Sequence, residues 1–112
     1  MEITLQEQDG VVALAINGRL DAVSAVDADK EFSKVLDGDK DKLLINLRAL
    51  DYISSAGLRV LLVVAKRMQQ KGGKVALCCM VDNVKEVFEI SGFSSIFKIF
   101  DSQEECAAFL NG

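Results

Sequence analysis

The chain has 112 residues, half of them hydrophobic and 27% charged, with a net charge of −4. That length sets one domain, residues 1–112, large enough for a core of its own, and the composition excludes a disordered tail. Histidine, proline and tryptophan are absent, so no Ser-His-Asp or Cys-His nucleophile pair and no histidine-ligated zinc or haem is available, and the acidic balance offers no basic face for nucleic acid.

Along the chain, Ile3 and Leu5, then Val12, Leu14 and Ile16, alternate with mostly polar neighbours at the period of a half-buried strand. Asp9-Gly10 between them suits a two-residue turn with positive φ, so an antiparallel hairpin is predicted, ended by Asn17-Gly18. A helix follows over residues 21–36, with Ala25, Ala28, Phe32, Val35 and Leu36 on one face. Asp21 or Ser24 caps its start, Ser24 and Asp27 approximate a capping box, and Gly38 suits the left-handed position past its end. The charged run at residues 37–42 reads as a solvated loop.

Residues 43–47 are an apolar run expected to be a central strand covered on both faces. A second helix is predicted from about Ala56 to Gln70, with Leu58, Leu61, Leu62, Ala65 and Met68 as its core face and Gly72-Gly73 at its end. Val60, Val63 and Val64 fall on flanks that a simple amphipathic helix would make polar. Residues 74–80 form another apolar strand, on which the neighbours Cys78 and Cys79 point to opposite faces. With Cys106 they read as small apolar core residues of a reducing cytoplasm rather than a disulfide framework. Asp82 or Asn83 caps a third helix ended near Gly92, residues 96–100 make a short last strand, and Ser102 with Glu105 forms a capping box for a final helix. The first ten residues lack the basic and apolar regions of a signal peptide, and no run reaches the ~18 apolar residues of a membrane span. A cytoplasmic domain without membrane insertion is expected.

The predicted order is ββαβαβαβα: an α/β fold with a mixed, mostly parallel sheet and helices packed on it. In such sheets function gathers where strands end and helices begin. That directs attention to the link over residues 48–58, where Ser54 and Ser55 stand before an apolar helix. A helix start has unpaired N–H groups and a partial positive charge, so a phosphate on a serine there is stabilised locally. Gly57 in the first turn keeps Cβ bulk away from that space, although serine is also an ordinary helix cap.

The stretch Tyr52-Ile-Ser-Ser-Ala-Gly-Leu58 before an apolar helix resembles the signature of the STAS domain, the anti-sigma factor antagonist family. Gly18-Arg-Leu-Asp21 is similar to the family's turn after its second strand, and Gly92-Phe93 is a third match, so the resemblance covers essentially the whole chain. It implies a phospho-switched binding module, not an enzyme, with no cofactor and no metal. Unphosphorylated, such an antagonist binds an anti-sigma factor serine kinase and frees the sigma factor; a serine/threonine phosphatase resets it. Aligned on Ala56-Gly57-Leu58, the phosphoacceptor falls on Ser55, and Asp21 matches an acidic residue near the kinase interface or is a helix cap. The family often has aspartate before the phosphoserine; this chain has Ser54, a second possible acceptor. The resemblance therefore implies a partner surface of Asp21, Ser54, Ala56, Gly57 and Leu58. Val60, Val63 and Val64 either extend it as an apolar contact or are buried against neighbouring elements.

Other readings are weaker on the residues. A receiver domain needs an acidic pair after a parallel strand, which is missing, and Gly72-Gly73-Lys74 closes a helix instead of opening one as a phosphate loop does. The alternative within the same family is a STAS module of a transporter-associated or scaffold signalling complex, working without serine phosphorylation.

Overall fold

A computed structural model describes residues 1–112. Strands β1 (Glu2–Gln8) and β2 (Val11–Leu20) form the expected antiparallel hairpin, in register from Glu2↔Asn17 to Gln8↔Val11. Asp9 at φ 54° and Gly10 at φ 80° both lie in the left-handed region, the pair of values that a tight turn matched to strand twist requires. β2 does not end at Asn17-Gly18. Gly18, at φ 95°, makes a bulge that shifts the register, and the strand runs on to Leu20.

Helix α1 (Ser24–Leu36) leads to β3 (Lys42–Asn46), and a strand that periodicity does not reveal follows: β4 (Leu50–Ile53). It pairs in parallel with the end of β2, Gly18 with Leu50, Arg19 with Tyr52 and Leu20 with Ile53. Four residues with only Leu50 and Ile53 buried are too short to show an alternating pattern. Then come α2 (Ser55–Gln70), β5 (Lys74–Cys78), α3 (Asp82–Ile90), a 3-10 turn over Phe93–Ser95, β6 (Ile99–Phe100) and α4 (Gln103–Asn111). The sheet order is β1-β2-β3-β5-β6, parallel except for β1, with β4 beside β2 beyond the end of β3.

β3 is covered on both faces, as its apolar run requires. Leu43 and Ile45 join the main core with Leu14, Phe32, Leu61 and Phe88, whereas Leu44 faces a smaller core under α4. Cys78, Cys79 and Cys106 are free, buried and all in that smaller core. The two neighbours share it because β5 stops at Cys78 and the chain turns at Cys79, φ 65°, so the alternation expected of a strand does not reach Cys79.

Several helix ends differ from expectation. α1 is capped by Asp21, one of the two expected caps, but no box of Ser24 with Asp27 forms, and Gly38 is not left-handed. Instead Lys71 Nζ, from the end of α2, donates to the carbonyls of Leu36 and Gly38 at 3.0 and 2.9 Å. Neither Asp82 nor Asn83 caps α3; the Asn83 amide donates across to the Asp51 carbonyl and ties α3 to β4. Of the expected last strand over residues 96–100 only Ile99 and Phe100 are strand; Ile96 to Lys98 are irregular chain after the 3-10 turn, and Phe97 there is buried with its ring edge-on to Phe88 at 5.8 Å. The box at α4 is half formed: Ser102 Oγ accepts from Glu105 N at 3.2 Å, but the Glu105 carboxylate takes the Ser102 hydroxyl. No helix is long and apolar enough to cross a membrane.

Candidate functional site

The end of β2 and the start of α2 meet through one backbone bond: Ser54 N donates to the Leu20 carbonyl at 2.9 Å. β4 places it there, because Leu20 and Ile53 are paired and Ser54 is the next residue. Ser54 is extended, φ −97° and ψ 175°, and its Oγ accepts from Gly57 N at 3.2 Å. Its carbonyl accepts from Leu58 N at 2.9 Å. Ser54 is thus the N-cap, half-buried and committed to holding the first turn.

Ser55 is the first helical residue, and it is exposed. Of the N–H groups that a helix start leaves without intrahelical partners, Ser54 satisfies those of Gly57 and Leu58, which leaves those of Ser55 and Ala56. An oxygen attached at Ser55 therefore meets an exposed surface with open donors beside it.

Gly57 serves a different purpose from the expected one. A Cβ there would lie 2.6 Å from the Leu20 carbonyl oxygen and 2.9 Å from Ile53 Cγ1 and Leu20 Cγ. The absent side chain makes room for β2 and β4 under the helix and not for a group beside the serines. Leu58, Val60 and Val64 are likewise turned inward, at 6%, 9% and 2% exposure. The buried stripe of α2 is displaced from the expected one: α1 and the sheet cover Val60 and Val64, which belong to the core, whereas Leu62, expected on the core face, is half-buried and outside it. Ala56 is half-buried against the same core. Of the three flank valines only Val63, at 40%, reaches the surface.

Asp21 lies directly after Leu20, beside this helix start. Its Oδ1 accepts from Val23 N at 3.1 Å and Ser24 N at 3.0 Å, while Ser24 Oγ accepts from Asp21 N at 2.9 Å. That reciprocal arrangement is a capping box with aspartate at its start and serine three residues later. The hydrogen bond from Ser24 N holds the Asp21 carboxyl below its ordinary range, and bonds from the Ser24 side chain and Val23 N, with Arg19 nearby, add to it. Three more surface groups adjoin this turn. The Arg19 guanidinium lies 4.2 Å from the centre of the Tyr52 ring and 3.9 Å from Asp21. Val23 and Val26, at the beginning of α1, are 85% and 59% exposed. The two valines sit off the Ala25, Ala28, Phe32 stripe of their helix, and that displacement is the sequence signal that could have found them.

The principal cavities lie elsewhere, between the hairpin and α4, between the hairpin and the end of α1, and at the ends of β5 and β6, and none of these is lined by Ser54 or Ser55. Ser55, Arg19, Tyr52, Val23 and Val63 lie on open surface, with Asp21 half-buried beside them.

Comparison with known proteins bears on the family and the fold. The family model described as STAS domain matches residues 2–106. The chain is 41% identical over 108 residues to BtrV of Bordetella bronchiseptica, described as a candidate anti-sigma factor antagonist, covering 96% of this chain and 93% of that one. It is 25% identical to the anti-sigma F factor antagonist of Paenibacillus polymyxa, covering 92% and 89%. A crystal structure of a candidate anti-sigma factor antagonist from Thermotoga maritima superposes with a TM-score of 0.92 at 25% identity, covering 98% and 95%.

Proposed function

Because the chain belongs to the STAS domain family, we propose that it is an anti-sigma factor antagonist switched by phosphorylation of Ser55. In the unphosphorylated state it binds an anti-sigma factor through the surface around the start of α2 and so frees a sigma factor for transcription. The anti-sigma factor is itself the serine kinase that modifies Ser55, and a serine/threonine phosphatase restores the binding form.

The observation that carries this reading is the division of labour between the adjacent serines. Ser54 is half-buried and capping, while Ser55 is exposed with no structural duty of its own. Phosphorylation adds about 1.5 to 2 negative charges. The helix start tolerates that charge in the free protein. In a close-packed interface the same group must lose its water and meet whatever acid lies opposite, and a penalty of about 3 kcal/mol weakens binding roughly a hundredfold. Nothing needs to unfold for the partner to be excluded.

The test is incubation with ATP and a candidate anti-sigma factor serine kinase from the same organism, followed by mass spectrometry of the intact protein and its peptides. The expected result is one phosphate on Ser55, absent in Ser55→Ala and retained in Ser54→Ala. Ser55→Ala still binds the kinase. Binding in neither nucleotide state, or phosphate incorporation unchanged by Ser55→Ala, overturns the proposal.

A further inference from the structure

Arg59 is the only charged residue in the first two turns of α2, from Ser55 to Leu62. It is exposed, and it is absent from every ion pair and side-chain hydrogen bond of the chain, unlike Arg19, Arg48 and Arg67. It stands four residues after Ser55, so the two side chains share one face of the helix, with Cβ atoms about 5–6 Å apart. Long side chains on a helix lean toward its N-terminus, which carries the guanidinium back over the preceding turn, where Ser55 sits.

We infer that Arg59 is the positioning residue for the phosphorylated state, its guanidinium pairing with a phosphate on Ser55. The inference rests on Ser55 being the modified residue. A planar guanidinium matches two phosphate oxygens at once, which an ammonium does not. The other charged groups at this end are already engaged or negative: Arg19 lies on Tyr52 and beside Asp21, Asp21 caps α1, and Asp51 and Asp82 repel a phosphate. Among the four arginines, Arg59 is the one with no ion pair or side-chain hydrogen bond. Phosphorylation then does two things to the docking face. It adds a dianion, and it withdraws the one unpaired cation of the first two turns from any acidic group of the partner.

The experiment avoids the kinase altogether. Phosphoserine is placed at position 55 during translation, and the second ionisation of the phosphate is followed by phosphorus NMR against pH. Free phosphoserine has this pKa near about 6. A paired cation favours the dianion, so the intact protein titrates lower, and Arg59→Gln raises the value by about half a unit. Arg59→Lys keeps a charge but loses the two-pronged contact, and it restores part of the shift. Lys66→Gln, two turns farther along, changes nothing. Equal values in the intact protein and Arg59→Gln overturn the inference, even if both lie below 6, because the helix start alone then accounts for the shift. Since the phosphoserine is incorporated during translation, this outcome is independent of whether the kinase acts on Ser55.

Discussion

The Ser54 hydroxyl oxygen accepts from Gly57 N at 3.2 Å, whereas Ser55 makes no comparable contact, so alanine separates the two positions. Ser54→Ala is expected to cost about 0.5–2 kcal/mol of stability, the usual loss of a cap, and Ser55→Ala to stay within about 0.5 kcal/mol. Urea denaturation of both variants measures this. Asp21 makes a pH prediction. Its folded pKa is depressed by the Ser24 and Val23 hydrogen bonds, so its contribution to stability is present above the unfolded value of about 3.9 and is lost as pH falls through the lower folded value. Asparagine caps a helix without titrating. In thermal melts below pH 4, roughly the unfolded carboxyl range, the intact protein is expected to lose stability more steeply than Asp21→Asn; parallel curves would show that the cap does not titrate as described. The resemblance located both serines and Asp21. It could not assign their tasks, because the cap is fixed by which N–H lies within reach of which oxygen.

At the scale of elements, the start of α2 depends on a strand with little sequence signal. β4 continues the sheet along the end of β2, and the bulge at Gly18 makes that extension possible: its N–H reaches the Ala49 carbonyl at 2.9 Å with φ at 95°. A branched residue is strained there. Gly18→Val is expected to destabilise the protein by about 1–3 kcal/mol. It should also speed hydrogen exchange at Ser54, whose amide is held by Leu20. Exchange at Ser54 as slow as in the intact protein would show that the β2 bulge and the α2 start are not coupled. The hairpin and the positions of all four helices were legible, because Asp9-Gly10 and the apolar stripes are local signals. β4, the capping of α1 by Lys71 and the tie from Asn83 to Asp51 were not, since each joins residues more than thirty apart in sequence.

For the molecule as a whole, one face of the sheet carries the large core under α1 and α2, and the other carries the small one under α4. The three cysteines sit in the small core. Hydrogen bonding to Cys106 and burial push the Cys78 thiol far up, and burial raises that of Cys79, so neither forms a reactive thiolate near neutrality. An aromatic disulfide reagent is expected to find no fast-reacting thiol in the native protein and three after unfolding. A fast native reaction would mean that α4 opens readily.

The sequence by itself determined the fold class, the order of nearly all elements and the helix start at which Ser54 and Ser55 lie, because turn residues and apolar periodicity act over a few positions. It also showed a family signature in the same stretch. Only the tertiary structure decided which serine caps and which is open, that Gly57 is needed for the close approach of Leu20 and Ile53, and that Val60 and Val64 are core while Val63 is surface. Periodicity shows that a helix has a buried face but not where the edges of that face fall, and those edges are set by what packs on either side. For α2 those neighbours are α1, β4 and β5, which the chain supplies from both directions and brings together only when it folds.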